Sequence, residues 1–73
     1  MQEIGKSIQS ERLRAGLTQQ EVADRTGIKI SVISRLENGR AKNPTLETLN
    51  RIAAAIGCYI IVANEKVQIW NSK

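Results

Sequence analysis

Histidine is absent from this chain, and cysteine, aspartate and proline each occur once. With no imidazole and a single thiol at Cys58, the usual zinc constellations cannot be assembled and no disulfide closes within the chain. Little material remains for a nucleophile–base pair or a carboxylate–imidazole relay, so neither an enzyme nor a metal or other cofactor is expected. Long apolar runs are missing too. The longest, Ile52 to Ala63, is interrupted by Gly57 and is far too short to span a bilayer. No basic-then-apolar leader opens the chain, and the expected location is the cytoplasm, reduced and without membrane contact. Repeats and low-complexity segments are lacking. At 73 residues there is room for one core, which leaves helix packing and self-association as the sources of stability.

What is present is basic and helical. A formal charge of +4 and a pI near 9.7 favour polyanionic partners. Ile4, Ile8 and Leu13 fall roughly on one face of a first helix that Gly16 ends. Thr18-Gln19-Gln20-Glu21 has the spacing of a capping box and starts a second, short helix running to about Arg25. Gly27 then supplies a left-handed turn residue, and a third helix follows from about Ile30, with Ile33 and Leu36 facing inward, until Asn38-Gly39 closes it. After the basic loop Gly39 to Pro44, Thr45 is placed to cap a fourth helix carrying Leu46, Leu49, Ile52, Ala53 and Ile56. Beyond Gly57 the pattern changes to Tyr59-Ile60-Ile61-Val62, a strand run, with Val67 to Trp70 as a second strand behind a turn at Asn64-Glu65-Lys66. The tail is either a hairpin or one strand with a looser end.

Two short helices around a glycine turn make a helix-turn-helix, in which Ala23 sits where the helices cross closely while Val22, Ile28, Ile33 and Leu36 fill the wedge. The segments Gly16 to Ala23, Gly27-Ile28, Ile33 to Gly39 and Pro44-Thr45-Leu46 resemble the Cro/repressor-like helix-turn-helix (XRE) family across about residues 5 to 57. The resemblance implies a mainly α fold: a four-helix lambda-repressor-like DNA-binding domain at 1–57, with a C-terminal β-strand or hairpin at 58–73 for dimerisation or partner contact.

It also implies roles for particular residues. Gln19 matches a position that contacts a phosphate and buttresses the reading helix; Lys29, Ile30, Ser31 and Arg35 match its groove-facing positions; Asn38, Arg40 and Lys42 match the loop against the DNA backbone. Arg35 has the fork for guanine or a phosphate, Ser31 is permissive, and Ile30 either meets a thymine methyl or packs on the second helix. Arg12 and Glu37 match a partly buried ion pair between the first and third helices. Lys29 stands where a small hydroxyl cap is usual, so Ser31 is an alternative cap for a later start. The strand ending is similar to that of HigA- and HipB-type antitoxins, in which a C-terminal strand pairs between subunits. Tyr59, Ile60, Ile61, Val62 and Trp70 are therefore expected at a dimer or partner interface, and Cys58 is expected to be buried and inert. The functional expectation is a homodimeric transcriptional repressor that binds a double-stranded DNA operator and autoregulates its operon as the antitoxin of a toxin–antitoxin pair, with a cognate toxin as partner. An autonomous prophage or restriction-modification controller, and a protein-interaction module without DNA, stand as alternatives.

Overall fold

A computed structural model describes residues 2–41 and 43–72, with the side chains of residues 2 and 3 left out. Four helices, α1 (Gln2–Arg14), α2 (Gln19–Thr26), α3 (Ile30–Glu37) and α4 (Leu46–Ala55), precede strands β1 (Cys58–Ala63) and β2 (Lys66–Asn71). Helix starts follow local chemistry. The Thr18 hydroxyl accepts from the Glu21 amide at 3.0 Å while the Glu21 carboxylate accepts from the Thr18 amide at 2.9 Å, which closes the capping box of α2. Thr45 caps α4 by accepting from the Thr48 amide at 3.1 Å. Gly27, at φ 74°, ends α2 with its amide donated to the Ala23 carbonyl. Lys29 occupies the cap position of α3 without a side-chain bond, so the helix starts at Ile30 and Ser31 lies inside its first turn rather than capping a later one.

The core gathers Ile4 and Ile8 of α1, Val22 and Ala23 of α2, Ile33 and Leu36 of α3, Leu49, Ile52 and Ala53 of α4, and Ile56 and Cys58 beyond it. Leu13 does not share the inner face with Ile4 and Ile8; it is 62% exposed. The inward position one turn after Ile8 belongs to Arg12, which is buried because its charge is paired. Gly5 sets the approach of α1 to α3: a Cβ there would stand 2.1 Å from the Leu36 carbonyl oxygen.

The tail is an antiparallel hairpin. Asn64 and Glu65, at φ 52° and 61°, form a two-residue turn in the left-handed region, the kind whose twist matches the flanking strands. The pleat sends Cys58, Ile60, Val67 and Ile69 toward the helices, and the register pairs Tyr59 with Trp70 and Ile61 with Gln68 on the opposite face. The Asn71 amide and the Cys58 thiol both donate to Glu11 of α1, at 3.4 and 3.8 Å, and the Ser72 hydroxyl donates to the Gly57 carbonyl at 2.7 Å. The hairpin packs on α1 and α4, whereas α3 packs on α1 and α2. Among the described residues, no helix is long and apolar enough to cross a membrane.

Candidate nucleic-acid interface

The turn between α2 and α3 is held from within. The Thr26 hydroxyl donates to the Val22 carbonyl at 2.8 Å and accepts from the Ile28 amide at 3.1 Å, and Ile28 packs half-buried against the core. Val22, Ile33 and Leu36 are fully buried beneath the two helices, so α3 presents the other side of its surface outward. That wall carries Lys29, Ile30, Ser31 and Arg35, all exposed, followed by Asn38 and Arg40 where the chain leaves the helix. Lys29, Arg35 and Arg40 make no side-chain hydrogen bond or ion pair among the described residues. Lys42 lies outside the described residues.

The electrostatics of this stretch are one-sided. Between Arg25 and Thr45 there are four basic side chains and one carboxylate, Glu37. That carboxylate is spent inside the protein. Glu37 accepts from Arg12 Nε at 2.7 Å, from Arg12 Nη2 at 2.9 Å and from Gln19 Nε2 at 3.0 Å, while Arg12 Nη1 donates to the Leu17 carbonyl at 2.8 Å. The bond to Glu37 pushes the Arg12 guanidinium above its ordinary pKa, against the lowering effect of burial. One buried carboxylate thus ties the end of α3 to α1 and to the first residue of α2. Gln19 is half-buried, its amide turned toward Glu37 at the helix start. With its only local anion neutralised, the outer surface is left to uncompensated cations, the footprint of a polyanion site.

The helix-turn-helix family profile matches residues 8–61. The chain belongs to that family. It is 43% identical over 54 residues, 74% of this chain and 69% of the other, to an uncharacterized HTH-type transcriptional regulator of Sinorhizobium fredii. It is 44% identical over 50 residues, 68% of this chain and 71% of the other, to an uncharacterized HTH-type transcriptional regulator of Methanothermobacter thermautotrophicus. No solved structure matches it. The family is one of XRE-type, DNA-binding transcriptional regulators and is non-enzymatic.

Outside the helix-turn-helix of this family member, the hairpin divides the apolar residues expected at an interface. Tyr59 and Trp70, 48% and 50% exposed, face each other across the strands beside Ile61. Ile60 turns the other way and packs on the core, and Val62, on the Ile60 side of the pleat, is exposed. Cys58 is buried, and desolvation together with the neighbouring Glu11 carboxylate pushes its thiol pKa up, away from the reactive thiolate. Two positioning residues carry no hydrophobic signature in the sequence. Arg51 of α4 donates to the Thr26 carbonyl at the C-terminal end of α2, where a cation complements the helix dipole. Gly5 is the other, and only its place in the interior of an otherwise regular helix marks it.

Proposed function

We propose that two copies of the chain bind a double-stranded DNA operator, each laying α3 in the major groove, and repress the promoter of their own operon as the antitoxin of a toxin–antitoxin pair. The observation that carries the operator reading is the outer wall of α3, with Lys29 and Arg35, unpaired among the described residues, beside Ile30 and Ser31 on a helix locked by Arg12, Glu37 and Gln19. Asn38, Arg40 and Lys42 are assigned to the DNA backbone, with Gln19 adding a phosphate contact at the start of α2. Residues 1–57 act as the DNA-binding unit and 58–73 as the joining segment.

Two features of the hairpin support the joining role. Among the described residues its sheet has two strands, so each strand has an edge that pairs with no other strand there, and exposed edges are normally covered or paired. Its outer face, with Tyr59, Ile61 and Trp70 beside Gln68, belongs to β1 and β2 and not to the elements that hold α3, so it is free to meet a partner while α3 is engaged. A second copy joined edge to edge leaves both reading helices free for half-sites about one DNA turn apart, and one such motif alone makes too few contacts for useful specificity. The Tyr59–Trp70 face is then assigned to the toxin.

The operator reading is tested by fluorescence anisotropy of the protein on a duplex from its own promoter and on a scrambled duplex at several salt concentrations. Tight, promoter-selective and steeply salt-dependent binding is expected; equal, weak binding to both duplexes refutes it. Sedimentation as a monomer at micromolar concentration refutes the dimer. For the antitoxin role, the neighbour-encoded protein is expected to co-purify stoichiometrically and to be released by Trp70→Ala.

A further inference from the structure

Seven large apolar side chains are exposed among the described residues, and two of them, Ile30 at 41% and Val32 at 36%, stand on α3. Their settings differ. Val32 lines a groove with Leu36, Ala41 and Pro44, and so has neighbours of its own. Ile30 opens the helix beside Ser31, at the end where a reading helix meets base edges.

The hydrogen-bonding inventory of the same wall is narrow. Serine hydroxyls donate and accept and so pair with any base, which leaves Ser31 and Ser34 without a preference. Arg35 is the only fork on α3, suited to guanine or a phosphate. From Lys29 to Arg35 there is no asparagine or glutamine to make the two-bond amide contact with adenine, and no free carboxylate to accept from cytosine. The nearby amides are turned elsewhere: Gln19 donates to Glu37, and Asn38 to the Ser34 hydroxyl at 3.5 Å. The one major-groove feature of an A·T pair that this helix is equipped to distinguish is therefore apolar, the thymine 5-methyl group.

We infer that Ile30 is a specificity-determining residue that packs on the 5-methyl group of a thymine, so that each operator half-site carries an A·T pair opposite the first turn of α3. The inference rests on the reading that α3 enters the major groove. A cytosine at that position carries only a hydrogen on C5, so the isoleucine loses the methyl group it packs on, and the contact discriminates by burial.

The test replaces the operator thymines one at a time by deoxyuridine, which removes the methyl group and nothing else, and measures affinity of the full chain by anisotropy. The expected result is one position per half-site at which deoxyuridine weakens binding about fourfold, the effect of withdrawing one buried methyl group. Ile30→Val keeps that sensitivity, and Ile30→Ala binds the thymine and deoxyuridine duplexes alike. Wild-type indifference to every methyl group, with promoter selectivity intact, overturns the inference alone. Sensitivity that survives unchanged in Ile30→Ala overturns it as well. Absence of promoter selectivity in the wild type overturns the operator reading, and the inference with it.

Discussion

Replacing Glu37 by glutamine keeps the size and shape of the side chain and removes its charge. The Glu37 side chain is wholly buried and that of Arg12 is 8% exposed, so the variant leaves an arginine cation inside the protein with no counter-charge. The new amide nitrogen also confronts one of the three donors that converge on the carboxylate from Arg12 and Gln19. Breaking one side of a buried pair costs about 3–5 kcal/mol. For a chain of 73 residues the whole stability is about 4–11 kcal/mol, so the substitution removes a large part of it. A domain of this size loses about 4–8 °C of Tm per kcal/mol, which places the expected drop at about 12 °C or more. The assay is thermal and urea unfolding followed by circular dichroism, at one fixed protein concentration because the proposed self-association would make Tm concentration-dependent. The double variant Arg12→Met with Glu37→Leu removes both charges and is expected to recover most of the loss. A Glu37→Gln Tm within about 2 °C of wild type, or a double variant as unstable as the single one, refutes the argument that an unpaired internal charge is the cause.

Gly5→Ala puts a methyl group against the Leu36 carbonyl, and the strain of about 1–3 kcal/mol exceeds the helix-propensity gain of about 1 kcal/mol, so thermal unfolding should show a net loss. Glu65→Gly relieves a left-handed position occupied by a side chain and should stabilise the hairpin by about 1 kcal/mol, read as a higher urea midpoint. Arg35→Ala is expected to cost about 1–3 kcal/mol of operator binding and to relax the preference at one base pair, so unchanged selectivity in anisotropy would contradict a guanine contact. The Thr18 amide and hydroxyl hold the Glu21 carboxylate below its ordinary pKa of 4.5. Its contribution is therefore full above that value and is lost as pH falls through the lowered folded value; Glu21→Gln should flatten this acid limb of the stability profile.

The elements with local chemical causes were legible in the sequence. Thr18 with Glu21, Thr45 before α4 and Gly27 in the turn act through bonds within a few residues, so spacing alone reveals them. What was not legible depends on partners distant in the chain. Apolar spacing puts Leu13 inside because hydrophobic periodicity has no way to register a buried, paired arginine; only the family resemblance points to Arg12 and Glu37. The sequence leaves the hairpin as one of two options because Asn64-Glu65 lacks the glycine that announces such a turn, although both residues adopt its left-handed backbone. The apolar run Tyr59 to Val62 offers no alternation, so the turning of Ile60 to the core and of Tyr59 to solvent is decided by the helices beneath.

Helix α3 has eight residues, too few to be stable by itself in water, and it starts without a side-chain cap, an omission that costs a helix about 1 kcal/mol. Its order must come from elsewhere, and it comes from below and behind: Ile33 and Leu36 are anchored in the core, and Glu37 at the last position is clamped by Arg12 and Gln19. The clamp joins the first residue of α2 to the last residue of α3, so the two helices of the motif keep one relative geometry. The first turn, with Lys29, Ile30 and Ser31, is then the end of the motif left with the fewest internal obligations, and base contacts in a reading helix come from that end. On the proposed reading, a carboxylate cap there would steady the helix and would also set a negative charge where the phosphates approach. Rigidity supplied from the far end keeps the near end open, which on the proposed reading reduces the ordering cost of binding without occupying the surface assigned to the DNA.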